Sequence, residues 1–182
     1  MVTGGAVFLD RDGVLNAAIV RHRRPFSPRT PGDVVILQGV RSAIDAFRAA
    51  GLMTIVITNQ PDVARGMACS DDVDAVNARV TEATGVDTII VCPHDDDDGC
   101  ECRKPLPGMI LNAASEFDVN LARSVLVGDR WRDIEAGRAA GIPTVFVDRD
   151  YDERPAEDPT LIVDELASAV PWILRRTKGP VE

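Results

Sequence analysis

Residues 6–16 read Ala-Val-Phe-Leu-Asp-Arg-Asp-Gly-Val-Leu-Asn. The apolar run ends in two aspartates, Asp10 and Asp12, which are followed directly by Gly13. Such a run is typical of a buried strand in a parallel sheet, and ligands bind at the carboxyl ends of the strands in these sheets. Because an unpaired buried carboxylate is costly, the two aspartates predict a charged site at this strand end. The alternative is a solvated Asp-x-Asp-Gly turn.

Strand-like and helix-like patterns alternate along the rest of the chain. Strands are predicted at Ala6–Leu9, Met53–Ile57, Thr88–Val91, Ser124–Val127 and Thr144–Val147, with a weaker one at Leu161–Val163. Helices are predicted around Val40–Phe47, Val73–Val80, Met109–Phe117, Ile134–Ala140 and Asp164–Arg175. This order predicts an α/β protein with a Rossmann-like three-layer α/β/α fold and a central parallel sheet.

The length and composition favour one domain without large appendages. We expect a single domain over residues 1–176 and a disordered tail at 177–182. The polar insertion at residues 17–38 is too short for a cap domain. A net charge of −9 argues against extended contact with nucleic acid or with an anionic membrane. With neither a signal peptide nor an apolar membrane span in the sequence, we expect a cytoplasmic protein, monomeric by default.

Further polar side chains are expected at the strand end that carries Asp10 and Asp12. Thr58 and Asn59 follow the second strand, and Arg103 and Lys104 precede the third helix. Gly128 and Asp129 lie at the end of the fourth strand, with Asp133 one helical turn later. Because the strands are parallel, all of these side chains are predicted to converge on one edge of the sheet.

The chemistry that needs this set is phosphoryl transfer. Clustered carboxylates repel each other unless a cation joins them, and Mg²⁺ binds oxygen ligands from one or two carboxylates. One aspartate attacks phosphorus and forms a covalent aspartyl-phosphate, and a second acts as general acid and base. A hydroxyl, an amide and a lysine then neutralise the charge of the transferred group.

The same residues resemble the four motifs of the haloacid-dehalogenase-like (HAD) phosphatase superfamily, over nearly the whole chain. They are Asp10-Arg11-Asp12-Gly13, Thr58, Lys104 and Gly128-Asp129-x-x-x-Asp133. The resemblance implies Asp10 as nucleophile and Asp12 as general acid and base. It also implies Mg²⁺ held by Asp10, the backbone carbonyl of Asp12 and Asp129. Asp133 would orient Lys104 or a metal-bound water; the alternative is a simple charge in the first turn of a helix.

A cysteine-rich loop precedes Arg103 and Lys104. Cys92, His94, Cys100 and Cys102 supply three thiolates and one imidazole, the ligand set of a closed structural Zn²⁺ site. The fourth cysteine of the chain, Cys69, is expected to be an ordinary thiol, and the tract Asp95–Asp98 is expected to be a solvated loop tip. Zinc here would hold the two cations over the phosphate site.

The chain resembles two families of phosphatases without a cap domain, which act on D-glycero-D-manno-heptose 1,7-bisphosphate and on histidinol phosphate. The resemblance rests on two motifs, Cys-Pro-His…Cys-x-Cys-Arg-Lys-Pro and Thr-Asn-Gln. Both resemblances imply that Asn59 and Arg103 contact substrate beside Thr58 and Lys104. The short zinc loop is nearer to the histidinol-phosphatase length. The cationic run Arg21, His22, Arg23 and Arg24 favours a second phosphate, so we expect the 7-phosphatase activity on the bisphosphate. A histidinol-phosphate or other small-molecule phosphatase, and an inactive zinc-stabilised phosphate-binding domain, remain the alternatives.

Overall fold

The computed structural model describes residues 4–178. In chain order the strands are β1 (Ala6–Leu9), β2 (Ile19–Arg21), β3 (Arg24–Phe26), β4 (Met53–Asn59), β5 (Thr88–Cys92), β6 (Val125–Gly128), β7 (Thr144–Val147) and β8 (Leu161–Val163). Six of them form one sheet in the order β5-β4-β1-β6-β7-β8, with every neighbouring pair parallel. Strands β2 and β3 form a separate antiparallel hairpin.

Five α-helices cover the sheet. They are α1 (Val40–Ala49), α2 (Ser70–Thr84), α3 (Gly108–Glu116), α4 (Trp131–Ala139) and α5 (Leu166–Thr177). No helix within residues 4–178 is both long enough and apolar enough to cross a membrane.

The alternation of side chains along β1 divides the core into two layers. Val7 and Leu9 pack into the cluster that includes residues of α1, α2 and α5. Ala6 and Phe8 pack on the opposite face, in the cluster that includes residues of α3 and α4. All four side chains are fully buried, because successive residues of a strand point to opposite faces and both faces are covered. The predicted three-layer α/β/α fold is confirmed.

Apart from shifts of one to four residues at the ends of other elements, the secondary structure departs from the prediction in three places. Strand β4 continues through Thr58 and Asn59, because these residues pair with β5. The insertion at residues 17–38 forms the β2–β3 hairpin and a short 3₁₀ turn at Pro31–Asp33, where no regular element was expected. Helix α5 extends to Thr177, whose hydroxyl donates to the carbonyl of Ile173 at 2.8 Å. The remainder of the predicted disordered tail, residues 179–182, lies outside the described residues.

Candidate active site

A buried lysine joins two carboxylates at the carboxyl edge of the sheet. Lys104 Nζ donates to Asp10 Oδ1 at 2.8 Å, to Asp133 Oδ1 at 2.6 Å and to the carbonyl of Ile57 at 2.8 Å. Burial disfavours the charged amine, but the carboxylates of Asp10 and Asp133 outweigh it and raise the pKa of Lys104. Lys104 is therefore a fixed positive charge beside the end of β1.

Asp10 follows β1 directly and is 7% exposed. Burial raises the pKa of this carboxyl to about 6; Lys104 opposes the shift and the nearby charge of Asp133 adds to it. Because Lys104 binds the Oδ1 atom, the Oδ2 atom is available as a nucleophile. An acid with this pKa is ionised at neutral pH, as nucleophilic attack requires.

The third carboxylate of the cluster, Asp129, accepts no hydrogen bond of normal distance and angle among the described residues. It is 2% exposed, and neither of its oxygens has a hydrogen-bond partner among residues 4–178. Burial raises the pKa of Asp129 well above its usual value, and the charges of Asp10 and Asp133 add to the shift; the nearby Tyr151 hydroxyl and the charge of Arg130 oppose it. Oxygen atoms of these three residues lie within 4.8 Å of one another. A buried carboxylate without a partner, close to two others, fits a site for Mg²⁺.

Gly13 allows the motif loop to approach Asp129. Its φ of +86° lies in the left-handed region, and a Cβ at this position would stand 1.7 Å from Asp129 Oδ2. Any side chain at residue 13 would therefore displace the carboxylate, which explains the glycine after the second aspartate.

Asp12 is held as a carboxylate by four neighbouring side chains. Burial opposes ionisation, but the charge of Arg11 and the hydrogen bonds from several side chains lower the pKa of Asp12. The donors are Arg11 Nε and Nη2 at 3.1 and 2.9 Å, Asn16 Nδ2 at 2.9 Å, Ser27 Oγ at 2.7 Å and Gln60 Nε2 at 3.2 Å. Arg11 is fully buried and also donates to Asn77 at 2.7 Å. Its guanidinium therefore anchors the carboxylate firmly.

The end of β4 supplies a hydroxyl and an amide. Thr58 is 1% exposed, and its hydroxyl accepts a hydrogen bond from Gln60 at 2.8 Å. The side chain of Asn59 accepts from the backbone N–H of Lys104 at 3.1 Å and donates to its carbonyl at 3.0 Å. Asn59 thus fixes the backbone of Lys104 against the strand end.

The sulfur and nitrogen atoms of the cysteine-rich loop lie close to the separations of a tetrahedral site, with the two shortest distances, 3.2 and 3.3 Å, both at Cys102. The Sγ–Sγ distances are 3.8 Å for Cys92–Cys100, 3.2 Å for Cys92–Cys102 and 3.5 Å for Cys100–Cys102. His94 Nδ1 lies 3.7 Å from Cys92 Sγ and 3.3 Å from Cys102 Sγ. Ligands at about 2.0–2.3 Å from one tetrahedral Zn²⁺ stand about 3.4–3.8 Å apart. This cluster is compatible with Zn²⁺.

The acidic tip of this loop is exposed at Asp96–Asp98, as the sequence predicted, but two of its carboxylates are also paired. Asp95 accepts hydrogen bonds from Nε and Nη2 of Arg65, both at 2.7 Å. Asp96 accepts from Arg103 Nε at 2.8 Å and lies 3.0 Å from Arg132 Nη1. The tip therefore connects the cysteine-rich loop to the segment after β4 and to α4.

Six of the predicted residues line one small cavity of about 60 Å³: Asp10, Asp12, Thr58, Asn59, Lys104 and Asp133. Asp129 lies beside it within the carboxylate cluster. Arg103 is 9% exposed and lines an adjoining larger cavity, with its guanidinium held by Asp96 and by the carbonyl of His94 at 3.1 Å.

Several residues of the site carried no signal in the sequence. Ser27 reaches Asp12 from the end of the β2–β3 hairpin, and Arg130 and Arg132 line the small cavity from the start of α4. Their positions depend on contacts between segments far apart in the chain. Gln60, which was noted as part of Thr-Asn-Gln, bridges Asp12 and Thr58.

Known proteins resemble the chain in sequence and in fold. The sequence profile of the HAD-hydrolase-like family matches residues 101–169. A D-glycero-β-D-manno-heptose-1,7-bisphosphate 7-phosphatase of Rhodopseudomonas palustris is 39% identical over 154 residues, which cover 76% of this chain and 80% of that protein. The chain belongs to this phosphatase family.

Two further relatives extend the comparison to more than nine-tenths of the chain. The α-anomer 7-phosphatase of Burkholderia mallei is 34% identical, over 92% of this chain and 93% of that protein. A crystal structure of D,D-heptose 1,7-bisphosphate phosphatase from Bordetella bronchiseptica, complexed with magnesium and phosphate, superposes with a TM-score of 0.81. It is 32% identical and covers 94% of this chain and 98% of that one. This protein is thus a HAD-like phosphatase, as its four motifs predict.

Proposed function

We propose that this phosphatase removes the 7-phosphate of D-glycero-D-manno-heptose 1,7-bisphosphate, with Mg²⁺ as cofactor and a phosphorylated Asp10 as intermediate. The observation that carries the proposal is the buried contact of Lys104 with Asp10 and Asp133 beside the unpartnered Asp129. The relatives are named for this substrate, and the B. bronchiseptica structure contains magnesium and phosphate.

The chain's own residues divide the reaction into two steps. A carboxylate oxygen of Asp10 attacks phosphorus, forming an acyl-phosphate bond while the phosphorus–oxygen bond to the sugar breaks. Asp12 is a carboxylate in the free site, so it must take up a proton as the phosphoester binds before it can give that proton to the departing alkoxide. Asp12 then takes a proton from the water that attacks phosphorus, so that phosphate leaves and the Asp10 carboxylate is restored.

The remaining polar groups stabilise charge on the phosphoryl group. Lys104, the Thr58 hydroxyl and the Asn59 amide line the same small cavity as Asp10, and Arg103 approaches from the adjoining one. Mg²⁺, held by Asp10, the Asp12 carbonyl and Asp129, would supply positive charge to the phosphoryl oxygens.

The cysteine cluster has a structural part in the proposal. Cys92, His94, Cys100 and Cys102 would hold Zn²⁺ with no open coordination position, and Arg103 and Lys104 follow immediately in the sequence. Zinc would therefore support these two cations and take no part in the chemistry. Thiolate ligands require a reducing compartment, so we also propose that the protein acts in the cytoplasm.

The test is phosphate release in the presence of Mg²⁺, with each anomer of the heptose bisphosphate compared with histidinol phosphate. We expect kcat/KM to be at least about a hundredfold higher for the bisphosphate, equivalent to about 2.7 kcal/mol of transition-state stabilisation. A preference for histidinol phosphate would make the short cysteine-rich loop the better guide to the substrate. Binding of these esters without any turnover would identify an inactive phosphate-binding domain.

A further inference from the structure

A cationic groove opens directly from the small catalytic cavity. Its volume is about 570 Å³, and residues of the hairpin end, β4 and α4 line both spaces: Pro25, Phe26, Ser27, Asn59, Arg130 and Arg132. Eight arginines line the groove against four acidic residues. This excess of positive charge stands out in a protein whose net charge is −9.

Five of the eight arginines already have carboxylate partners. These are Arg65, Arg103, Arg130, Arg132 and Arg154. Their partners include Asp95, Asp96, Glu135 and Glu153. These ion pairs shape the groove, but they leave it little uncompensated charge.

The uncompensated charge comes from the hairpin and the loop after it. Arg21, Arg24 and Arg29 line the groove, and none of the three has a carboxylate oxygen within 4.0 Å among residues 4–178. Arg21 lies over the ring of Phe26, with 5.7 Å between its Cζ atom and the ring centroid. The aromatic ring therefore helps to hold this guanidinium in place.

The register of the hairpin brings two of these charges together. Arg21 of β2 and Arg24 of β3 are direct cross-strand partners. Side chains at such positions stand about 4.5–5.5 Å apart at Cβ, and like charges there repel each other. An anion bound between the two guanidinium groups would remove this repulsion.

Arg23, in the turn between them, has a different environment. Its guanidinium donates to Asp150 Oδ1 at 2.6 Å and to the Asp150 carbonyl, and Arg23 does not line the groove. The hairpin thus contains two arginines that face the groove and one that is paired away from it.

We propose that Arg21 and Arg24, with Arg29 beside them, bind the second phosphate of a bisphosphorylated sugar while the first phosphate reacts in the small cavity. This inference rests on the proposed function, because it requires a phosphoester bound at Asp10. The two spaces suit the two ends of such a substrate: the small cavity encloses the reacting phosphate, and the open groove holds the sugar and the distal phosphate.

The test compares two substrates and two variants. The substrates are the heptose 1,7-bisphosphate and the same sugar carrying only the 7-phosphate. The variants are the double substitution Arg21→Ala/Arg24→Ala and the matched control Arg23→Ala, all at exposed positions of one hairpin. We expect the double variant to lower kcat/KM for the bisphosphate by about tenfold, the size expected for two solvent-screened ion pairs.

The monophosphate and the control identify the cause of the effect. We expect kcat/KM for the monophosphate to stay within about twofold in the double variant, and Arg23→Ala to leave both substrates unchanged. The wild-type preference for the bisphosphate should also fall as salt is added. Three results would overturn the proposal. The double variant could lose kcat/KM equally on both substrates, Arg23→Ala could show the same loss as the double variant, or the wild-type enzyme could hydrolyse both substrates equally well. The last result would leave the phosphatase chemistry standing, whereas no hydrolysis of either substrate would refute the proposed function itself.

Discussion

Lys104→Met tests how the carboxylate cluster is held together. Lys104 is 3% exposed and makes hydrogen bonds with Asp10, Asp133 and the carbonyl of Ile57. Methionine retains much of the volume but removes the charge and the three donors. Three acidic groups, including Asp129, then remain buried within 4.8 Å of one another without a cation.

The expected loss of stability is about 3–5 kcal/mol at pH 8, the usual cost of removing one partner from a buried ion pair. The sign of its pH dependence follows from Asp10, whose pKa of about 6 in the folded protein already exceeds the ordinary value of 3.8. An acid with a raised pKa destabilises the fold as pH rises through that interval. Without Lys104 the pKa of Asp10 rises further, so the cost of the substitution should shrink between pH 8 and pH 5.

Urea denaturation without added Mg²⁺ at both pH values measures this cost, and the other lysine of the sequence provides the control. Lys178 is exposed, so Lys178→Met should change the unfolding free energy by less than about 0.5 kcal/mol. Mg²⁺ should stabilise Lys104→Met more than the wild type, because the cluster of the variant has lost its only bound cation among the described residues. A loss below about 1 kcal/mol at pH 8, or a loss independent of pH, would refute this account of the cluster.

Three further substitutions test the supports of the site. Cys100→Ser should abolish binding of one Zn²⁺ per chain, measured by elemental analysis, and should lower both stability and activity, whereas Cys69→Ser should retain the metal. Full zinc content in Cys100→Ser would contradict the proposed ligand set. Asp96→Asn should raise KM by about three- to tenfold, because Arg103 and Arg132 lose the carboxylate that they share, whereas Asp97→Asn should leave KM unchanged. Equal KM values in the two variants would show that Asp96 does not position these arginines for substrate binding. Ser27→Ala should slow hydrolysis of an alkyl phosphate about tenfold more than hydrolysis of p-nitrophenyl phosphate, because the p-nitrophenolate leaving group departs without a proton. Equal slowing of both substrates would show that Ser27 does not position Asp12 as the general acid.

The parallel sheet could be predicted because its strands are continuous apolar runs. Ala6–Leu9 and Thr144–Val147 were predicted with the bounds that the structure has, since burial on both faces leaves an unmistakable pattern. The convergence of Lys104 with Asp10 also followed from the sequence, because parallel strands place their carboxyl ends at one edge.

The hairpin could not be predicted, because its turn lacks the usual sequence signal. His22 and Arg23 have φ values of 51° and 60°, a conformation in which Asn and Gly are the usual residues of tight hairpins. Two basic residues at these positions gave no indication of a turn. The hairpin also delivers Ser27 to Asp12, so this hydrogen bond was missed with it.

The ion pairs of the acidic loop tip were missed for a different reason. Asp95 and Asp96 are close in sequence, but their partners Arg65 and Arg132 belong to other segments. A run of acidic residues carries no information about which distant cations will face it. Only the folded arrangement of β4, the cysteine-rich loop and α4 brings these charges together.

The central claim is that Asp10 becomes phosphorylated during turnover. The direct measurement is a rapid acid quench of the wild-type enzyme with Mg²⁺ and the heptose bisphosphate, followed by borohydride reduction and peptide mass mapping. Reduction of an aspartyl-phosphate yields homoserine, and we expect it at position 10 and not at position 12. Homoserine at another position, or an unmodified peptide 6–16 from an enzyme quenched during steady turnover, would contradict the covalent mechanism.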